Sequence, residues 1–311
     1  MKKFIGIFLI LYIASICCFF LDISICYFAG KNEYIICHNK TSRKVSFFLD
    51  SSLLYINLFL GKYNGPKVSF CTTYKDRFEQ ISKTLPVNLA NNRMDQSNVE
   101  FILIDFDPSD SRLKEFIFKN FSQDIASGYL KYYQTDKMPV WNFSVAKNTS
   151  HYYANNEIIV NLDADNYTGY RGGKFVSDAL VNNHNSFLWQ KRGFLDGSYG
   201  RISFYRKDFD YLGGYDENLP EPASYQDDDL MERAKISLNR IHKNFHNDAI
   251  ENDKDETIKH TKKGKSWDLM RIANKKHSEE NIKNGKIRAN NGIYGIREGV
   301  VRIMSLDSKV K

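Results

Sequence analysis

Two carboxylates one residue apart, Asp163 and Asp165, close the run Ile158-Ile159-Val160-Asn161-Leu162-Asp163-Ala164-Asp165-Asn166-Tyr167. The β-branched apolar stretch ahead of them is too short for a helix and is bounded by Asn155-Asn156 and Thr168-Gly169, so it reads as a buried strand ending in acid. Side chains at alternate positions of an extended segment point the same way, and the carboxyl ends of strands are where open α/β sheets bind ligands. Two hard oxygen donors so placed can hold a divalent metal, Mn2+ or Mg2+, and leave positions for a substrate's phosphates. The same triplet also suits a turn or a helix cap. A calcium loop of the EF-hand kind is excluded, because its fifth and sixth positions need an oxygen ligand and a glycine and are here Tyr167 and Thr168. A second acidic group, Asp227-Asp228-Asp229, either satisfies a helix N-terminus or does proton-transfer chemistry.

The elements that must position these acids follow from the pattern. Strands are expected over 68–74, 99–105 and 129–133, helices over 77–90 (interrupted at Pro86), 112–120 and 144–154, and then the central strand. Strand, helix, strand, helix, strand, helix, strand predicts an α/β fold, a mixed, mostly parallel sheet flanked by helices, with acidic residues gathered on one rim. The Asn- and Lys-rich tract 247–265 reads as loop.

A chain of 311 residues, 42% of them hydrophobic, can bury a substantial core. Its five cysteines, Cys17, Cys18, Cys26, Cys37 and Cys71, form no zinc spacing, and Cys71 reads as a buried thiol in preference to a partner of Cys37. The net charge of +7 suits an anionic partner, a nucleotide, a phosphorylated lipid or a membrane surface. Basic residues are dispersed and no nucleic-acid motif is present, so nucleic acid is not the expected partner.

Lys2-Lys3 precede an uncharged run from Phe4 to Leu21 that resumes after Asp22 to Ala29, the length of a transmembrane helix. A cleaved signal fits less well. The expected organisation is an anchor or signal over 1–30, a stem or linker over 31–66, the globular domain over 67–300 and a tail over 301–311. The expected location is the membrane, through a single-pass N-terminal anchor whose orientation the flanking charges leave open.

The order of motifs from Val68 to about Gly295 resembles the nucleotide-sugar glycosyltransferases of the GT-A fold, in particular family 2-like enzymes and the C-terminal domain of β-1,4-galactosyltransferases. Val68-Ser69-Phe70-Cys71-Thr72-Thr73-Tyr74-Lys75-Asp76-Arg77 is similar to the first strand and loop, and the resemblance assigns Thr72, Tyr74 and Arg77 to the nucleoside. Asp105 resembles the acid that meets the uracil or ribose, and Ala146-Lys147-Asn148 the family's Ala-Arg-Asn. Leu162-Asp163-Ala164-Asp165 is similar to its D-x-D motif, with Asp163 on the donor and Asp165 on the metal. Gly213-Gly214-Tyr215-Asp216-Glu217 and Gln226-Asp227-Asp228-Asp229-Leu230 resemble the acceptor-side motif, which makes Gly213, Gly214 and Asp228 acceptor-binding and Asp227 the catalytic base. Ile258-Lys259-His260-Thr261 resembles the segment carrying the histidine metal ligand, and the tract from Ser278 to Gly292 the closing helix and strand.

The resemblance implies a metal-dependent hexosyltransferase, here with the membrane anchor read from the apolar run, that moves a hexose from a nucleoside-diphosphate sugar, UDP favoured, to a glycan or glycolipid hydroxyl with inversion. Lys262 and Lys263 would help hold the diphosphate. Three departures stand out. Gln226 replaces a glutamate, Thr257 replaces a methionine metal ligand, and Leu219-Pro220-Glu221-Pro222-Ala223-Ser224 replaces a Trp-Gly-rich loop, so neither galactose nor manganese carries over. The alternative is a catalytically inactive GT-A domain that binds a glycan or nucleotide. A nucleotidyltransferase is disfavoured, since 71–77 has no glycine for a phosphate loop. Trp189 and Tyr225 read either as sugar-stacking walls or as core aromatics. The sequons at Asn39, Asn142, Asn148 and Asn166 read as products of an Asn-rich composition.

Overall fold

The computed structural model describes residues 60–190, 199–242, 249–250 and 266–308. Strand β1 (Val68–Tyr74) leads through helix α1 (Phe78–Asn92) to β2 (Val99–Asp105), and α2 (Ser111–Ser127) leads on to β3 (Leu130–Gln134). Helix α3 (Phe143–Tyr152) then returns the chain to β4 (Ile158–Asn161). After α4 (Gly172–Leu180) come β5 (Ser186–Trp189), β6 (Ile202–Tyr205), α5 (Arg206–Leu212), α6 (Gln226–Ala234) and β7 (Asn239–His242). Helix α7 (Trp267–Lys283) and the edge strand β8 (Val301–Arg302) close the described chain.

Among the described residues these strands form one sheet in the order β7-β5-β6-β4-β1-β2-β3-β8. The central four, β4-β1-β2-β3, are parallel, and β6 and β8 run antiparallel to their inner neighbours. The chain winds outward from β1 to β3 and then crosses back to place β4 on the other side of β1. The direction of winding reverses between β1 and β4, which opens a crevice at their carboxyl ends. The loops after Tyr74 and Asn161 both start there.

Helices cover both faces, so β1, β2 and β4 are buried at nearly every position and not at alternate ones. Phe70, Leu103 and Val160 enter one core cluster, while their neighbours Cys71, Ile102 and Ile159 enter the other. Phe70 stacks on Phe101 across the β1–β2 pair at 5.0 Å between ring centres. Cys71 is a buried free thiol, its pKa pushed up by burial.

Three helices differ from the sequence expectation. Pro86 does not interrupt α1, which runs on to Asn92. Proline there removes a bond to the carbonyl of Ser82, a residue still partly open to solvent, and Thr84, Asn88 and Asn92 fasten the helix from its buried side. Helix α2 continues past Asn120 through a non-helical Phe121, because Ile125 is buried and Asp124 pairs with Arg93. Helix α3 stops at Tyr152, short of Ala154.

Residues 61–66 are fastened to the domain. Arg171 donates to Gly61 O at 2.8 Å, and Ser177 Oγ and Tyr63 OH both donate to Pro66 O. At the other end Ile303, just beyond β8, is fully buried. Among the described residues no helix is long and apolar enough to cross a membrane. The apolar run of residues 4–29 lies outside the described residues.

Candidate active site

The loop after β4 is built by the polar face of α1. Thr84, Asn88 and Asn92 recur every four residues and so share one side of that helix. Thr84 Oγ1 donates to Ala164 O at 2.6 Å, and Asn88 Nδ2 to Asn166 O at 2.9 Å. Asn88 Oδ1 accepts from Thr168 N at 2.8 Å, and Asn92 spans Thr168 Oγ1 and Gly173 N. All three side chains are buried, and between them they satisfy loop groups that would otherwise be desolvated without partners. Ile250 N donates to Asp165 O at 2.8 Å, so the described piece of the 249–250 segment lies against the same loop.

Asp163 and Asp165 therefore leave the sheet on a rigid support. Asn161, the last residue of β4, donates to Asp163 Oδ1 at 3.1 Å and to Gly200 O at 2.9 Å. Asp165 is raised to about 6, by burial first and then by the neighbouring charge of Asp163; an Asn166 donor and Arg77 act in the opposite sense.

Lys147, on α3, is only 4% exposed at its side chain and reaches two acids that the chain separates widely. Its Nζ lies 2.7 Å from Asp227 Oδ1 and 3.6 Å from Asp163 Oδ1, with the Tyr215 ring centre 5.4 Å away. Burial opposes its charge, but the two carboxylates outweigh that and raise its pKa. Asp227 is raised by burial, against the pull of Lys147 and with a further push from Asp163. Gly200 leans over this cluster. A Cβ placed there would stand 3.0 Å from Asp163 Oδ2, 3.0 Å from Asp227 Oδ2 and 3.1 Å from Lys147 Nζ, so any side chain would fill the space above the acids.

The three consecutive acids at the start of α6 have different environments. Asp227 faces Lys147. Asp228 accepts from Tyr199 OH and from Arg271, the latter at 2.8 Å. Asp229 is 1% exposed and paired with Arg233, whose other donors hold Leu212 O and Gly214 O. Gln226 is buried, and its Oε1 has no hydrogen-bond partner among the described residues.

Several residues expected at the site are held by partners in the interior. Asp105 is completely buried, accepting from Asp107 N, Tyr132 OH and Gln134 Nε2, and burial raises its pKa. Thr72 and Tyr74 are buried on β1, and Tyr74 OH points to Asp110. Of the first-strand set, Arg77 is the one within electrostatic reach of Asp165. Asn148 is fully buried and clamps the backbone of Tyr215 in both directions, its Nδ2 also donating to Glu217. Gly213 and Gly214 are buried with φ of +72°. A Cβ on Gly213 would meet Ala289 O at 2.0 Å and one on Gly214 would meet Asn148 Oδ1 at 2.4 Å, so both glycines answer to close packing. Trp189 donates to Tyr199 O and lies beneath Arg240.

His260, Thr257, Lys262 and Lys263 lie outside the described residues. Among the described residues no group of three or more His, Cys, Asp or Glu side chains could hold a metal ion. Asp163 and Asp165 are two hard oxygen donors on a fixed loop, and they suit a divalent ion that completes its coordination with a ligand's phosphates and further groups. Thr84, Asn88, Asn92, Asn161 and Gly200 escaped the sequence reading. The four-residue repeat of small polar residues in α1 was the available signal for the first three.

No protein-family model matches the chain, and no curated protein matches it. Among solved structures it is similar to TarS 1-349 of S. aureus, at TM-score 0.46 and 18% identity over 56% of this chain and 57% of that one. It is similar to the mannosyltransferase PcManGT of Pyrobaculum calidifontis in complex with GDP-Man and Mn2+, at TM-score 0.45 and 14% identity over 64% of each chain. GalNAc-T7 with UDP, GalNAc and Mn2+ matches at TM-score 0.46 and 12% identity over 57% of this chain and 42% of that one. In each case the likeness spans less than two thirds of the other chain, and at these scores it assigns no activity by itself.

Proposed function

We propose that the chain is a metal-dependent glycosyltransferase moving a hexose from a nucleoside-diphosphate sugar to a hydroxyl of a glycan or glycolipid, with inversion. The observation that carries this reading is the meeting of Asp163, after β4, with Asp227, at the start of α6, around the single ammonium of Lys147. The pair stands at the carboxyl end of the parallel strands, beside the switch between β1 and β4, where this class of sheet binds ligands.

Asp165 would hold the divalent ion, with His260 as a further proposed ligand, and Asp163 beside it would meet the donor. Such an ion neutralises charge on a departing diphosphate. Lys147 and Arg77 would add positive charge on the donor side. Asp227 would accept the acceptor hydroxyl's proton as that oxygen bonds to the anomeric carbon and the bond from that carbon to the diphosphate oxygen breaks. Attack opposite the leaving group inverts the anomeric centre. A carboxylate held above its ordinary pKa by burial is a better base than an exposed one. Asp228, turned toward Tyr199 and Arg271, would contact the acceptor. The N-terminal apolar run would anchor the domain to a membrane, next to lipid-linked or surface glycans.

The test is thermal unfolding of the full chain with UDP, GDP or CDP and manganese, magnesium or EDTA, in the parent and in Asp165→Ala. A ligand at a hundred times its dissociation constant adds about 2.7 kcal/mol. One nucleotide should stabilise only with metal and only in the parent, and the matching nucleotide sugar should then yield a product of inverted configuration. Metal-dependent nucleotide binding without transfer or hydrolysis would favour an inactive binding domain. Absence of any nucleotide effect would remove the donor site.

A further inference from the structure

Beside the acidic cluster, α6 and α7 enclose a groove of about 480 Å³, within the range of small-ligand sites. Tyr225 and Glu232 form one wall, and Lys275, Ser278, Glu279, Ile282 and Lys283 form the other. The groove is a built feature of the fold. Tyr225 and the residue before it, Ser224, both take left-handed backbone, with φ of +67° and +69°, a conformation that costs non-glycine residues energy. Asn274 of α7 holds them there. It is fully buried, its Nδ2 donates to Glu221 O, Ala223 O and Ser224 O, and its Oδ1 accepts from Glu221 N. Arg271, one turn earlier on α7, lies over the Tyr225 ring at 5.0 Å and pairs with Asp228 at 2.8 Å. The aromatic wall of the groove and the acids at the head of α6 are thereby one mechanical unit.

One turn beyond Asn274, Ser278 is 1% exposed, lines the groove and has a hydroxyl with no hydrogen-bond partner among the described residues. A helical serine usually returns its hydroxyl to the carbonyl four residues back, and a buried hydroxyl left unpaired is costly. The remaining polar lining is two lysines and two glutamates, and Lys275 lies 3.6 Å from Glu279. Formal charge there sums to zero, so the groove neither attracts nor repels an ion strongly. It offers donors, acceptors and an aromatic ring in one short cleft.

The geometry points to this groove as a binding site for a neutral saccharide unit, the part of the acceptor next to the sugar that carries the reacting hydroxyl. Sugar hydroxyls donate and accept at once and would pair with Ser278, Glu232 and Lys283, while the apolar face of the ring would lie against Tyr225. Tyr225 immediately precedes the first turn of α6, and Arg271 links its ring to Asp228, so a unit seated there lies next to the acidic opening of that helix. The assignment of this saccharide as acceptor rests on the transfer reading above.

The experiment is saturation-transfer NMR and calorimetry on the full chain with chitobiose, lactose and maltose at millimolar concentration, with inorganic pyrophosphate as the anionic control. The variants are Ser278→Leu, Ile282→Trp, which crowds the groove from a partly exposed position, and Asp165→Ala. Metal-dependent nucleotide stabilisation is followed in parallel. At least one disaccharide should bind, tenfold or more weaker in Ser278→Leu and Ile282→Trp and unchanged in Asp165→Ala. Disaccharide binding that both groove variants leave intact overturns the proposal, as do pyrophosphate binding in the groove and failure of all three sugars to bind. If nucleotide binding persists in that last case, the transfer reading survives without this subsite. If nucleotide fails and a groove-dependent sugar binds, the groove stands and the transfer reading falls.

Discussion

Lys147 is the residue on which the two halves of the candidate site depend. It is buried between Asp163 and Asp227, and removing one member of a buried charge group leaves the others uncompensated. Lys147→Met should lower unfolding stability by about 3–5 kcal/mol, read by urea denaturation. If both carboxylates were well solvated, the loss would fall to the range of a surface ion pair, about 0–1 kcal/mol. Lys147→Arg keeps the charge but brings a wider, forked head into a space where Gly200 already approaches all three groups. Sequence reading marked both Lys147 and its neighbour Asn148, but could not divide their roles. Successive helical residues point about 100° apart, so one faces the acids and the other grips the Tyr215 backbone.

At the scale of elements, α1 acts as the support of the loop after β4. Its hydrophobic pattern was legible, and so was its approximate span, but its function resides in Thr84, Asn88 and Asn92, which in sequence are ordinary polar residues. Asn88→Ala removes the partners of Asn166 O and Thr168 N. Each buried backbone group so orphaned costs about 1–3 kcal/mol. The expected result is a fall of that order in stability together with weaker metal-dependent nucleotide binding. Unchanged nucleotide affinity in a folded Asn88→Ala would show that the loop keeps its shape without α1. Helix α6 teaches a related point. Asp227, Asp228 and Asp229 look interchangeable in sequence, yet the helical turn directs them to Lys147, to Arg271 and to Arg233.

For the whole molecule, a pH dependence follows from His151. It is 2% exposed, its Nδ1 lies 2.7 Å from Lys147 O, and it stacks on Phe209 at 4.8 Å. Burial, opposed by that carbonyl, lowers its pKa from 6.5 to about 3. The folded form therefore refuses a proton that the unfolded chain takes up. The stability associated with it is complete above about pH 6.5 and is lost as pH falls toward 3, by about 1.4 kcal/mol per pH unit inside that window. His151→Phe should flatten this part of the stability–pH curve measured by denaturation at pH 7, 6, 5 and 4. A curve identical to the parent's would mean that His151 takes up its proton in the fold as readily as in the unfolded chain.

The amino-acid sequence by itself determined the alternation of strands and helices as far as β4, the covering of the sheet by helices, the acidic pair after β4 and the acidic opening of α6. Those features are local. They follow from periodicity, from β-branched runs and from turn chemistry within a dozen residues. Only the tertiary structure decided which partner each acid meets. Asp105 and Asp229 are consumed by partners in the interior, whereas Asp163 and Asp227 converge on Lys147. It also decided that Gly213 and Gly214 make room for Ala289 and Asn148, and that Asn274 and Ser278 shape a groove beside the acids. These contacts join residues far apart in the chain, 80 positions in the case of Lys147 and Asp227. A local pattern records that a polar residue is present, and the crossing of strands at the switch between β1 and β4 selects the partner it meets.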